Sequence, residues 1–84
     1  MAISNRIKVR IFGMDEIKEY EDIRLVRLVS ADYSLLIMDE QINIVGEING
    51  TVTINSSEVD VEYRRIKGYY VHDDNVFNLF IKEY

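Results

Sequence analysis

The chain has 84 residues, of which 48% are hydrophobic and 30% charged, and its formal net charge is -5 at pH 7. It contains no cysteine, which excludes a disulfide framework and a thiolate metal site. No apolar run reaches the roughly 18 residues that a membrane-spanning helix needs, so we expect no direct insertion into a membrane. The length predicts one domain, residues 1–84. Because the N-terminus lacks the apolar core of a signal peptide, the cytoplasm is the expected compartment.

The first half of the chain contains short runs of branched apolar residues. "IKVRIF", from Ile7, alternates apolar and basic residues, and "LLIM", from Leu35, is short enough for a buried strand. Between them, residues 15–24 are good helix formers, and a helix there is a fair alternative. We favour strands because the apolar side chains of residues 23–29 would surround a helix on nearly every side.

The segment "INIVGEINGTVTI", residues 42–54, keeps its apolar residues at even positions, which is the period of a strand with one buried face. A two-residue turn at Asn49-Gly50 would place the apolar residues of its two arms on opposite faces. We therefore predict a hairpin with a three-residue loop, Asn49-Gly50-Thr51, which pairs Ile48 with Val52 on one face.

The last unit, "YYVHDDNVFNLFI", predicts a second hairpin. A three-residue loop, Asp73-Asp74-Asn75, would pair Val71 with Phe77 and leave His72 on the opposite face, exposed to solvent. Turn signals recur about every ten residues along the chain, the spacing of sandwiches and barrels. The predicted fold is all-β, a small β-sandwich of about 8–10 short, mostly antiparallel strands.

No group of residues in the sequence is typical of a catalytic or cofactor site. His72 is the only histidine, so a metal site would need several carboxylates around it. Asp39 and Glu40 are adjacent, and adjacent strand residues point to opposite faces, so a turn explains them better than acid–base chemistry. The four glycines are scattered and form no phosphate loop. We expect no catalytic residue, no cofactor and no metal, and hence a protein that is not an enzyme.

The charges are unevenly distributed. No lysine or arginine occurs between Leu28 and Tyr63, although this window holds seven acidic residues. An acidic balance argues against nucleic acid as a partner, because phosphate binding depends on cationic side chains. Two interpretations of the window remain open. It can be a solvated acidic surface that keeps the protein soluble, or a docking edge for a basic partner.

Taken in order, "EIKEYEDIRLVRLVSADYSLLIMDEQINIVGEINGTVTI" and "YRRIKGYYVHDDNVFNLF" resemble the N-terminal β-sandwich domain of the epsilon subunit of bacterial F-type ATP synthases. The polar loop of that family corresponds to residues 30–34 and its short strand to residues 35–38. Its "L-x-x-G-x-V/L-x-I" hairpin corresponds to Ile48, Gly50, Val52 and Ile54. The proline and histidine that follow the short strand in the family are replaced here by Met38-Asp39 and Gln41.

The resemblance implies a non-catalytic central-stalk subunit that couples the gamma subunit to the membrane rotor ring, the c-ring, at the inner face of the membrane. The rotor loops of that family carry basic residues, which would account for the acidic window. The sequence ends at Tyr84, where the β domain of the family ends, so we expect this chain to lack the family's two C-terminal helices. The partner-binding residues that it implies are Ala31, Asp32, Tyr33, Ser34, Asp39, Glu40, Gln41 and Asn43.

A second hypothesis is a free-standing all-β adaptor or inhibitor with no role in a synthase. Such a protein would bind through an exposed sheet edge or an aromatic patch. The tyrosines late in the chain could supply that patch; they are Tyr63, Tyr69, Tyr70 and Tyr84. The alternative is that tyrosines occupy strand positions because their rings pack well on a pleated surface.

Overall fold

The computed structural model describes residues 6–38 and 42–83, and these residues form seven strands and no helix. The strands are β1 (Ile7–Phe12), β2 (Ile17–Ile23), β3 (Leu25–Ser30), β4 (Ser34–Ile37), β5 (Ile44–Asn55), β6 (Asp60–Asp73) and β7 (Val76–Glu83). The all-β prediction is therefore confirmed, and residues 17–23 of the ambiguous segment are a strand. Within the described part of the chain there is no helix long and apolar enough to cross a membrane.

The strands form one sheet in the order β2-β1-β7-β6-β5-β3-β4. β1 and β7 are parallel, and every other neighbouring pair in the described residues is antiparallel. The expected mostly antiparallel arrangement is thus present. β2 and β4 are the two edges of this sheet.

Two long strands fold the sheet into two layers. β5 has 12 residues and β6 has 14. The second half of β5 pairs with the first half of β6, in the layer that also contains β3. Their other halves pair beside β7. The register shifts between Gly50 and Val52, and Arg65 has a positive φ of 56°. Because β5 and β6 each contribute to both layers, seven strands suffice where 8–10 shorter ones were expected.

The space between the layers is filled by one cluster of buried side chains, contributed by all seven strands. Its members are Ile7, Val9, Ile11, Ile23, Val26, Leu28, Ile37, Ile48, Val52, Ile54, Ile66, Tyr70, Phe77, Leu79 and Ile81. The alternation of buried and exposed residues is clearest along β1, "IKVRIF", where every second side chain is buried. Such burial supplies most of the free energy that stabilises a small fold.

The predicted hairpin loop at residues 49–51 is wrong, because β5 continues through it. The parity of the segment was nevertheless predicted correctly, since Ile48 and Val52 are both buried. Gly50 has another role: a Cβ there would overlap the carbonyl oxygen of Val29 on β3. The glycine therefore permits a close approach of two backbones at the bend of β5.

The predicted register of the last hairpin is also wrong, by one residue. The turn has two central residues, Asp74 and Asn75, with φ of 52° and 61°, as in a two-residue type I′ turn. His72 consequently pairs with Phe77. A slip of one residue exchanges the two faces of a strand. Tyr70 and His72 therefore point into the core, and the prediction that His72 faces solvent is overturned.

Candidate interaction site

The contact loop, residues Ala31–Ser34, joins β3 to β4, and all four of its residues are exposed. Its backbone is fixed at both ends. The Ser30 N–H donates to the Tyr33 carbonyl over 2.8 Å, and the Ala31 N–H donates to the Asn49 carbonyl over 3.1 Å. The Asn49 N–H in turn donates to the Ser30 hydroxyl oxygen over 3.0 Å. These bonds hold the loop against β5 and leave the Asp32 carboxylate at its exposed tip.

Tyr33 connects the contact loop to the other layer. Its hydroxyl donates to the Glu47 carbonyl and lies 2.9 Å from the Tyr70 hydroxyl. Since each hydroxyl has a single proton, the Tyr70 hydroxyl is then the donor to Tyr33. Burial, followed by this hydrogen bond, raises the pKa of Tyr70 well above its usual value. Tyr70 therefore remains a neutral donor at physiological pH, and the loop has a fixed link to the core.

Gly46 provides the space for this link. It lies directly opposite Tyr70 in the β5–β6 ladder, and a Cβ on Gly46 would overlap the end of the Tyr70 ring. The ring covers the glycine and reaches the contact loop beyond it. A tyrosine that covers a cross-strand glycine is a known way to stabilise a pair of strands. The sequence showed the glycine and the tyrosine separately but not their pairing.

An open groove of about 610 Å³ runs beside the contact loop. The residues that line it include the acidic Asp32 and Glu47 and the basic Lys67 and Lys82. No ion pair between described residues includes any of these four side chains. The window without lysine and arginine in the sequence is thus not uniformly acidic in space, because β6 and β7 bring two lysines beside it. Sequence spacing gave no signal for these lysines or for Glu47.

The structure brings together only part of the predicted site. Ala31, Asp32 and Tyr33 line the groove, and Ser34 begins β4. Asn43 lies elsewhere, where its side-chain oxygen accepts a hydrogen bond from the Asp74 N–H over 3.2 Å beside the β6–β7 turn. The other three predicted residues, Asp39, Glu40 and Gln41, lie outside the described residues.

His72 is a second polar feature, inside the core. Its side chain has no exposed surface, and neither ring nitrogen has a hydrogen-bond partner among the residues that the structure describes. Its imidazole lies against the Phe77 ring, with 6.3 Å between the centroids. Burial lowers the pKa of His72, and the nearby Asp73 carboxylate opposes that shift only in part. In residues 6–38 and 42–83 no three potential metal-binding side chains cluster, so nothing there marks His72 as a ligand.

A row of aromatic rings lies on the outer face of the layer that contains β1, β7 and the second half of β6. Phe12 of β1, Phe80 of β7 and Tyr69 of β6 are directly paired across neighbouring strands. Their ring centroids are 4.8 Å and 5.1 Å apart in stacked geometry. Ile17 extends the row on β2 and is 65% exposed. This aromatic row stabilises the sheet through cross-strand contacts and also presents apolar surface to solvent.

No family model matches the chain, and no curated protein matches it. Among solved structures, it is similar to a chain of the cryo-EM structure of the Tetrahymena thermophila mitochondrial ATP synthase, described as central stalk and c-ring, with a TM-score of 0.74. The two sequences are 11% identical, and the similarity covers 95% of this chain and 66% of that chain. At this identity the likeness shows a shared fold, over about two thirds of the length of the Tetrahymena chain.

Proposed function

We propose that this protein is a non-catalytic, epsilon-like subunit of the central stalk of a rotary F-type ATP synthase. In this role it would bind the gamma subunit and the loops of the c-ring, at the inner face of the membrane. The observation that carries the proposal is the fold, which is similar along 95% of the chain to a chain from the central stalk and c-ring of an ATP synthase. The sequence resemblance to the epsilon family supports the same assignment independently.

The contact loop supplies the chemistry that such a role needs. A stalk subunit must transmit force through side chains that keep their positions, and preorganised loops lose little entropy on binding. The contact loop is joined to β5 by backbone bonds and to the core by the Tyr33 and Tyr70 hydroxyls. Its exposed Asp32 would meet a basic group on a rotor loop. A charge of this kind contributes more to orientation and association rate than to affinity.

The experiment is a pull-down of the tagged protein from gently solubilised membranes of its own source, with mass spectrometry of the bound proteins. We expect recovery of the gamma subunit together with the catalytic subunits. Asp32→Lys should reduce the recovery of the c-ring that comes with them, because it would place a cation opposite the basic rotor loop. Recovery of unrelated soluble proteins, or of none, would refute the proposal.

The matched control is Glu58→Lys, which makes the same change of charge at another exposed acidic residue. Glu58 lies in the turn between β5 and β6. This turn follows Asn55, which pairs with the first residue of β3, whereas the contact loop follows the last residue of β3. The two carboxylates therefore lie at opposite ends of the layer. If both variants lose the synthase subunits equally, net charge rather than the contact loop is responsible.

A protein-interaction module outside a synthase is the second candidate, and the aromatic row favours it. Aromatic side chains are enriched at protein interfaces. In that case Tyr69→Ser, which shortens the row at its β6 end, would remove the recovered partner while Asp32→Lys would not. The opposite pattern would support the stalk subunit.

A further inference from the structure

His72 lies close to the turn of the last hairpin. It is the last inward-facing residue of β6, where it pairs with Phe77 on β7 and with Ile44, the first residue of β5. The residue that follows it, Asp73, is already exposed. We name residues 72–77 the hairpin tip. The imidazole is buried, but a movement confined to this tip would bring it into water.

The hairpin tip is closed by a turn in an unfavourable backbone conformation. Its central residues, Asp74 and Asn75, have φ of 52° and 61°, a region that residues other than glycine rarely adopt, although Asp and Asn tolerate it best. The Asp74 N–H donates to the side-chain oxygen of Asn43 over 3.2 Å, and the Lys8 N–H donates to the Asn75 carbonyl over 3.0 Å. Exposed turns of this kind open at a lower free energy than core strands do.

The core offers no anion that could neutralise a proton on His72. Within residues 6–38 and 42–83, the other ionisable side chain in the core is Tyr70, which is neutral because burial raises its pKa. The charged residues nearest to the imidazole along the neighbouring strands lie outside the core; they are Asp73 and Asp74 at the end of β6, Glu47 on β5, and Lys8 on β1, which is ion-paired with Glu19 of β2. Both aspartates are exposed, so they would stabilise an imidazolium once it reached water.

We propose that proton uptake by His72 opens the hairpin tip while the rest of the sandwich stays folded, so that this end of the protein is a pH-sensitive element. A proton on the buried imidazole would place a cation against Phe77 with no hydrogen-bond acceptor among the described residues, and such a charge is very unfavourable. Opening the tip moves the imidazolium into water beside Asp73 and Asp74. It also separates the Asp74 N–H from Asn43, which changes the surface at this end of the molecule.

The direction of the pKa shift fixes the pH window. Burial lowers the pKa of His72 in the closed tip, and in the open tip the imidazole is in water, where its ordinary pKa is 6.5. The closed tip is therefore fully favoured above about pH 6.5. Below that pH the equilibrium shifts toward the open tip, by at most about tenfold per pH unit because one proton is taken up. The element needs no partner, so it stands apart from the proposed function.

Amide hydrogen exchange of the isolated chain, followed by NMR between pH 7.5 and pH 5 and corrected for the intrinsic exchange rate, tests this element. We expect protection of the strand amides in the hairpin tip to fall by up to about tenfold per pH unit below pH 6.5. The amides around Val52 should stay protected, and in His72→Leu protection of the tip should no longer depend on pH. Equal losses at the tip and around Val52 would show unfolding of the whole chain and overturn the inference, as would a tip that stays protected at pH 5.

Two matched variants test whether the opening is local. Asn43→Ala removes the acceptor of the Asp74 N–H, so opening of the tip should increase about fivefold. The titration of His72, read from the NMR signal of the single histidine, should then move to higher pH. Ser56→Ala is the control, because it removes a similar bond, from the Val59 N–H over 3.1 Å, in the turn at the other end of β5. It should change opening of the tip less than twofold. Equal effects of the two variants, or no effect of Asn43→Ala, would overturn the inference.

Discussion

Tyr70 and His72 are both buried polar residues on the inner face of β6, two positions apart, but of these two side chains only Tyr70 has a hydrogen-bond partner among the described residues. The Tyr70 hydroxyl lies 2.9 Å from the Tyr33 hydroxyl, whereas in the described part of the chain nothing accepts from or donates to either nitrogen of His72. A buried polar group with a partner costs little, and one without a partner retains its full desolvation penalty. Tyr70 thus connects the core to a surface loop, while we expect His72 to lower the stability of the core.

The largest effect is expected from Tyr70→Ala. Removing the ring uncovers Gly46, ends the stacking on Phe77 and leaves a cavity, so the free energy of unfolding should fall by about 3–5 kcal/mol. Tyr69→Ala is the matched control, because Tyr69 is the adjacent tyrosine on the opposite, exposed face. It should cost about 1 kcal/mol or less. Urea denaturation measures both, and equal losses would contradict the assigned register.

The second effect is a loss of stability in mild acid. Burial lowers the pKa of His72 in the folded chain. The buried imidazole therefore remains unprotonated at a pH where His72 of the unfolded chain, with its ordinary pKa of 6.5, binds a proton. Stability is therefore full above about pH 6.5 and declines as the pH falls below it, by up to about 1.4 kcal/mol per pH unit. Denaturation at pH 7.5, 6 and 5 measures this slope. His72→Leu should flatten it, and an unchanged slope in that variant would assign the acid sensitivity to other groups.

The third effect is a gain. At pH 7.5, His72→Leu should raise the free energy of unfolding by about 1–2 kcal/mol, because it replaces two unpartnered nitrogens with apolar atoms of similar volume. Thermal denaturation at that pH measures the gain. A variant less stable than the parent would mean that the imidazole has a favourable interaction in the core.

The smallest effect is expected from Tyr33→Phe, which removes one hydroxyl from the link to the contact loop. The loss should be about 1 kcal/mol. The double variant with Tyr70→Phe should lose less than the sum of the two single variants, because both change the same bond. Additive losses, measured by urea denaturation of all four proteins, would indicate that the hydroxyls act independently.

The fold class could be predicted from the sequence because period-two alternation is local and strong. "IKVRIF" and the even positions of residues 42–54 have this period; the isoleucines and the valine of "IKVRIF" are buried, and so are Ile48, Val52 and Ile54, whereas Ile42 is 77% exposed. Non-local geometry could not be predicted. Gly50 looked like a turn residue beside Asn49, but it serves the close approach of Val29 from another strand. No local pattern distinguishes these two uses of a glycine.

The last hairpin shows how a turn that is one residue shorter than predicted changes which side chains reach a site. Asp74 and Asn75 both adopt positive φ without a glycine, so the usual signal for a two-residue turn was missing. Because the predicted register was wrong by one residue, the burial of Tyr70 and His72 was not predicted. Residues 31–34 were proposed as partner-binding from the family resemblance alone, and the link from this loop to Tyr70 depends on the register of the last hairpin.

The two layers share their longest strands, and this sharing has a consequence for how the molecule opens. β5 and β6 are paired along both layers, so separating either layer from the other requires breaking a ladder that belongs to both. Local openings that expose backbone amides usually follow the boundaries between independently paired units. No such boundary separates the layers here. Amide hydrogens in both halves of β5 should therefore exchange with solvent water at similar, slow rates, as parts of one cooperative unit.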